Sequence, residues 1–212
     1  MTIIVWLGLT NLQATFTSLI MDIINAPAET RTALTKDLAL LDPASLSTFP
    51  KSPQPDPKNT WTPLRAAMFE SIRLSGPITG PARICLEDVI LPSSSSSDRQ
   101  MLPKSQVATL SAYYTHRSPS VYGDDAAKWD PTRFLKSDPE IGSVKFITWG
   151  LKGPHMCPGR WFAQECLLVM TRCLLGKYDI VPDSVMSDDE KYTYSAGSVM
   201  RKDVGVTVRS RK

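Results

Sequence analysis

The chain has 212 residues, 42% of them hydrophobic, enough to bury a core as one domain or two small ones. Its formal net charge of +3 is scattered, and the late cluster Arg201, Lys202, Arg209, Arg211 and Lys212 reads as a solvated strand edge, so there is no electrostatic case for a nucleic-acid partner. Cys85, Cys157, Cys166 and Cys173 form no C-x-x-C pair and lack structural-zinc spacing, which excludes a disulfide scaffold and predicts reduced thiols.

Residues 1–25 are strongly apolar. No basic segment precedes them, and Thr10, Asn11, Gln13 and Thr15 interrupt the run, so neither a signal peptide nor a membrane anchor is predicted. Ile4, Leu7, Leu12, Phe16, Ile20, Ile23 and Ile24 recur near helical spacing, with apolar residues on other faces too; the reading is a helix buried in a larger protein and ended by Pro27. Ala28 to Leu41 follows as an amphipathic helix through Leu34, Leu38 and Leu41. Residues 42–59, with five prolines, read as an irregular connector.

A third helix is predicted over 60–75, capped by Thr60 or Thr62, with Leu64, Met68 and Ile72 in an i, i+4, i+8 stripe. On it Glu70 and Arg73 stand three apart and share a face, an arrangement worth a few tenths of a kcal/mol if exposed, about 0.2–0.5. After Gly76 and Pro77 the chain turns extended: Ala82–Cys85 and Val89–Leu91 read as strands, Ser93 to Ser97 as a loop, and Gln106–Leu110 as a strand that pairs back. From His116 to Phe134 prolines, tyrosines and aspartates leave little periodicity, and a meandering coil is predicted. A helix over 159–175 closes at Gly176, and Tyr178–Val181 and Tyr192–Val208 read as short strands around Ser195-Ala196-Gly197. The sum is a mainly α fold with small β-sheets, α+β.

The densest local signal is Phe146-Ile-Thr-Trp149-Gly150-Leu-Lys152-Gly153-Pro-His155-Met-Cys157-Pro158-Gly159-Arg160. A thiol set directly before a helix, with Pro158 at the first helical position, faces unpaired N–H groups and the positive end of the helix dipole, both of which favour thiolate. Gly150, Gly153 and Gly159 allow sharp turns or a close approach to a flat partner. Local chemistry alone leaves a buried structural thiol and a ligand or nucleophile both open.

Gly153-Pro-His155-Met-Cys157-Pro158-Gly159, with Phe162-Ala163 after it, resembles the haem-binding loop F-x-x-G-x-[R/H]-x-C-x-G of the cytochrome P450 superfamily. Glu70-Ser-Ile-Arg73 stands where that family has its E-x-x-R helix, and Pro131-Thr-Arg133-Phe134 where it has P-x-R-F. The resemblance covers essentially the whole chain. It implies a partial P450 domain over 1–212: a distal haem helix at 1–25, the E-x-x-R helix at 60–75, the thiolate loop at 146–159 and a proximal helix at 159–175. The N-terminal half of the fold would be absent.

By resemblance, Cys157 is the axial iron ligand of haem b, a thiolate that pushes electron density toward the metal in support of dioxygen cleavage. Glu70, Arg73 and Arg133 match a buried structural network. His155 and Arg83 are candidates for the haem propionates, against the plainer readings of a loop-packing histidine and a solvent-facing arginine. Three departures qualify the match. The family's phenylalanine position holds Gly150, so the loop carries one extra residue, with Lys152 the candidate, and Trp149 becomes the candidate ring beside the haem. Placing Pro27 against the proline after the distal helix sets Thr10 and Asn11 where the family has its acid and alcohol pair; an amide can orient water or a peroxide but cannot shuttle protons as that pair does. Members such as prostacyclin synthase resemble this chain there. Family members are also much longer, which implies the C-terminal half of the enzyme.

The resemblance implies a monooxygenase inserting one oxygen atom from dioxygen into a lipophilic small molecule, with electrons from NADPH through a reductase. The alternatives are an isomerase or dehydratase of a peroxide substrate, and an inactive fragment or a subunit that needs its missing half. Segments expected near substrate are Gly8 to Asn11, Pro77 to Gly80 and Ser195 to Ser198. The parent enzyme would lie at the endoplasmic-reticulum membrane, with no anchor in this chain.

Overall fold

The computed structural model describes residues 2–39, 63–76, 80–91, 99–136, 138–187, 191–195, 198–202 and 204–211. The predicted connector at 42–59, the caps Thr60 and Thr62, the Ser93–Ser97 loop, Pro77 and the turn at Ala196-Gly197 lie outside them.

The helices are α1 (Thr2–Ile24), α2 (Ala28–Ala39), α3 (Pro63–Ser75), α4 (Ala112–His116), α5 (Pro119–Tyr122) and α6 (Arg160–Lys177), with a 3-10 turn at Pro131–Phe134. The strands form antiparallel pairs: β1 (Ala82–Ile84) with β4 (Val107–Thr109), β2 (Val89–Ile90) with β3 (Met101–Leu102), β5 (Tyr178–Pro182) with β8 (Val206–Ser210), and β6 (Tyr192–Ser195) with β7 (Ser198–Arg201). The register sets Arg83 opposite Ala108 and Ile180 opposite Val208. Strand β3 is an element that its two apolar residues did not announce.

Helix α3 is the centre. Pro63 starts it at a position that needs no N–H, and the small side chains of Ala66, opposite the Leu64, Met68 and Ile72 stripe, and of Ala67, at its edge, let neighbours close on the helix. The result is a helix buried from Ala66 to Ser75, packed against α1, α2, α6 and the 3-10 turn. The second half of α1 contributes Leu19, Ile20, Met21, Ile23 and Ile24 to the same core, as a helix apolar on several faces should. Gly76 follows α3 where a Cβ would come within 3.2 Å of the Thr148 side chain, so the segment leading to the cysteine loop passes close by.

Several boundaries shift for local reasons. Helix α1 ends at Ile24, where the Asn25 backbone and side-chain amides both donate to Met21 O (3.2 and 2.7 Å); Pro27 instead precedes α2, its carbonyl accepting from Arg31 N. Helix α2 stops at Ala39, not Leu41, and α3 starts at Pro63, not residue 60. Helix α6 begins at Arg160 and runs through Gly176 to Lys177, because Gly176 has no left-handed φ to stop it and the chain passes directly into extended Tyr178. The stretch 116–134 is not plain coil: α4, capped by Ser111, ends at its first residue, and α5 and the 3-10 turn within it are single turns started by Pro119, and by Asp130 with Pro131. Such turns need only a cap or a proline, so they leave no apolar period to read.

Candidate functional site

The three-residue spacing of Glu70 and Arg73 puts both on one face of α3, and the tertiary structure closes that face completely. Arg73 Nη2 and Nε donate to the two Glu70 oxygens at 2.7 Å each, with both side chains wholly inaccessible. A bidentate pair of this kind survives burial only when its remaining hydrogen-bonding groups are met. They are: Arg73 Nη1 donates to the carbonyls of His116 and Ala126, and Nη2 to Lys128 O at 3.2 Å. Glu70 Oε1 also accepts from Asp130 N at 2.9 Å.

Arg133 enters from the 3-10 turn, with its Nε 3.4 Å from Glu70 Oε1, an ion pair without hydrogen-bond geometry. Its Nη1 donates to Tyr122 O, and its Nη2 to Asp125 O and to the Asp125 carboxylate at 2.6 Å. Burial pushes the Glu70 carboxyl above the ordinary range, while Arg73's hydrogen bonds and charge pull it back. Burial works against the Arg133 charge, yet the Asp125 hydrogen bond and Glu70 raise its pKa, and Arg133 in turn holds Asp125 below the usual carboxylate range. The predicted trio is thus one network. It staples α3 to the stretch 116–133.

From this network the chain reaches the cysteine loop through an aromatic cluster. Phe69 on α3 lies edge-on to Phe134, Phe146 and Trp149, with ring centroids 6.0, 6.2 and 6.5 Å away. Trp149, the expected ring beside the haem, is half-buried in this cluster, 5.9 Å from Phe146. Its carbonyl accepts from Cys157 N at 2.9 Å and closes the loop 150–156. Gly150 and Gly153 both adopt positive φ (+85° and +145°), which β-carbon residues resist, and the loop is docked from the other side by Lys152 N donating to Gly142 O at 2.8 Å.

Cys157 carries a free, exposed thiol. It does not stand directly before the helix as expected: Gly159 is the cap and Arg160 the first helical residue, so Pro158 lies outside the helix. The Cys157 carbonyl accepts from Arg160 Nη1 at 3.0 Å, which ties the loop to α6. A β-carbon at Gly159 would sit 3.9 Å from Cys157 Sγ; glycine keeps that side of the sulfur open. Beside the loop runs a cleft of about 430 Å³ lined in part by Ile141, Lys152, Arg160 and Trp161. Among the described residues no cluster of three or more His, Cys, Asp or Glu could hold a bare metal ion. A single accessible cysteine with an unshielded sulfur suits a metal whose other ligands belong to a macrocycle, so these residues fit a haem.

The remaining expected residues are more dispersed. His155 is exposed on the turn before Cys157. Arg83 is exposed on β1, its Nη1 donating to Ala82 O at 2.8 Å. Thr10 and Asn11 lie in α1; the half-buried Asn11 accepts at its carbonyl from the Thr15 hydroxyl at 2.9 Å, while the side chain of Thr10 is outside the described set.

Two features gave no sequence signal. His116 is buried beneath the network, and a lone histidine in an aperiodic stretch looks like any other loop residue. Buried Asp22 of α1 accepts from Ser71 Oγ at 2.7 Å, which in turn accepts from Trp129 Nε1 at 2.9 Å.

Comparison with known proteins agrees with this geometry. The family model for Cytochrome P450 matches residues 51–207. Human "Cytochrome P450 4F3" is 32% identical over 121 residues, covering 57% of this chain and 22% of that protein. "Leukotriene-B4 omega-hydroxylase 3" of Mus musculus is 31% identical over 124 residues, again 57% and 22%, and "Cytochrome P450 94A1" of Vicia sativa 26% identical over 153 residues, 69% and 29%. The chain therefore spans less than a third of the length of these relatives. The crystal structure of a cytochrome P450 (CYP102L1) superposes with a TM-score of 0.68 at 17% identity, covering 95% of this chain and 42% of that one. With the family model matching most of its length, and with the thiolate loop and the Glu70–Arg73–Arg133 network in the same fold, this chain belongs to the cytochrome P450 family.

Proposed function

We propose that the chain carries the haem-thiolate half of a monooxygenase, with Cys157 as the axial ligand of haem b. The observation that supports it best is the Cys157 loop, closed by the bond from Cys157 N to Trp149 O while Sγ remains accessible beside Gly159. When bound, the haem supplies the dioxygen chemistry that inserts one oxygen atom into a C–H bond at the expense of NADPH.

The protein's part is to hold and orient. The loop's backbone bonds fix where the sulfur points, and the buried network keeps α3 and the stretch 116–133 in register beneath it. Arg83 and His155 are the hydrogen-bond donors assigned to the propionates, and Trp149 packs the base of the loop. Thr10 and Asn11, on the helix assigned to the distal face, would orient water near the reacting atoms. Lys152 and Arg160 put two cations beside the cysteine loop, which suits an acidic face on a reductase. The substrate proposed is lipophilic, in keeping with a relative whose name makes it an omega-hydroxylase of leukotriene B4. No helix among the described residues is long and apolar enough to cross a membrane.

The test is the reduced carbon-monoxide difference spectrum of the chain loaded with haemin. A band at the thiolate position in wild type that disappears in Cys157→Ala is expected; identical spectra for the two proteins would overturn the ligand assignment. NADPH-dependent product formation with an added reductase separates a monooxygenase from a peroxide isomerase, which turns over without either.

A further inference from the structure

We propose that His116 is a positioning residue for the Cys157 loop, held as the neutral Nδ1–H tautomer between the backbone of Arg73 and the backbone of Ile147. This rests on the reading of Cys157 as the ligand only for its functional meaning; the geometry stands without it.

His116 ends α4 and is 1% exposed. Its Nδ1 lies 2.9 Å from Arg73 O, and Ile147 N lies 3.2 Å from its Nε2. A carbonyl can only accept and a backbone N–H can only donate, so Nδ1 must carry the proton and Nε2 must not. The imidazolium would set two donors against each other at Nε2 and does not fit. The ring also stacks on Phe146, 5.5 Å between centroids and 28° between planes. Burial and the cations Arg73 and Arg117 keep it neutral, its pKa pushed down to about 4, with Tyr122 edge-on at 6.3 Å as the other titratable neighbour.

What makes this a positioning device is where its two bonds lead. On one side Arg73 and His116 clasp each other, guanidinium to His116 carbonyl and imidazole to Arg73 carbonyl, so the ring is fixed to the buried network. On the other side it fixes Ile147. Ile147 O accepts from Gly150 N at 2.9 Å, and that turn aims Trp149 O at Cys157 N. A run of hydrogen bonds and covalent bonds thus links Arg73 to the amide of the sulfur-bearing residue, through the imidazole ring and the backbone of Ile147, with Nε2 its one side-chain acceptor.

The two ring nitrogens can be removed separately. His116→Gln keeps an acceptor at the place of Nε2, whereas His116→Asn keeps a donor at the place of Nδ1 and leaves the Ile147 N–H without its acceptor. In native-state amide exchange on the full chain without haem, His116→Asn should exchange at Ile147 and Cys157 about tenfold faster or more, with the α3 amides of Phe69 to Ile72 unchanged, and His116→Gln should restore slow exchange. Equal rates at Cys157 in the two variants, or α3 amides accelerating in parallel with Cys157, would mean a general packing role and overturn the proposal. An independent arm uses wild type: imidazole nitrogen shifts at neutral pH should report a protonated Nδ1 and a bare Nε2, and the opposite tautomer or an imidazolium would sink it. No arm contains haem, so failure here is distinct from failure of the ligand assignment.

Discussion

Arg73 spends its guanidinium on Glu70 and on three backbone carbonyls, all in a place water does not reach. Arg73→Ala should therefore cost about 3–5 kcal/mol, because it abandons the Glu70 carboxylate inside the protein; urea unfolding reads it as a lowered midpoint, and a shift typical of an exposed pair would contradict this burial. His116 makes a prediction of a different kind. Its pKa is about 4 in the fold against 6.5 unfolded, so between those values the unfolded chain binds more protons and stability rises with pH. The contribution is present above pH 6.5 and lost as pH falls toward 4, up to about 3 kcal/mol in all. Stability curves of wild type and His116→Gln should accordingly converge over that interval, with Arg73 and Arg117 as the facing charges; a gap that stays constant would refute the assignment. Of the two, only Arg73 carries a sequence signal, since its partner Glu70 stands three residues away. The partners of His116 are backbone atoms 43 and 31 positions away, and backbone atoms carry no residue signature.

Among the elements, α1 and α3 are joined by more than apolar packing. The run Trp129 Nε1 to Ser71 Oγ to Asp22 Oδ2 links three segments through one hydroxyl that accepts from one partner and donates to the other. Ser71→Ala removes both bonds at once and should destabilise by about 1–3 kcal/mol, measured by urea unfolding, with Trp129 fluorescence altered in the native baseline. An unchanged midpoint would show that water replaces the hydroxyl at no cost. Helices α1, α3 and α6 were legible because each carries an apolar stripe at helical spacing. The sequence predicts an end of α6 at Gly176, but a glycine acts as this kind of stop only where the backbone turns left-handed, and here the helix runs to Lys177 and passes directly into β5. The short turns between α4 and Phe134 rest on caps and prolines and are held by Arg73 from α3 and by Arg133 across the stretch itself, so no periodicity within them could announce their positions.

For the whole molecule, the β1–β4 and β2–β3 ribbons display Ile84, Leu86, Ile90, Met101 and Val107 to solvent, each more than half exposed. Apolar residues gathered on ribbons this short should drive association of the 212-residue chain. Sedimentation velocity should show concentration-dependent mass that Ile84→Lys with Val107→Lys reduces, and a concentration-independent monomer for wild type would contradict it. The sequence by itself determined the family, and it pointed to Cys157 and to the charged trio, because all of these are written as short motifs local to a loop or a single turn. Only the tertiary structure decided how they cooperate: that Glu70 and Arg73 are sealed from water, that Trp149 packs on Phe69 of α3 while its carbonyl holds Cys157, and that His116 stands between network and loop. Those outcomes depend on burial and on backbone partners distant in the chain, quantities that exist only once the helices have packed.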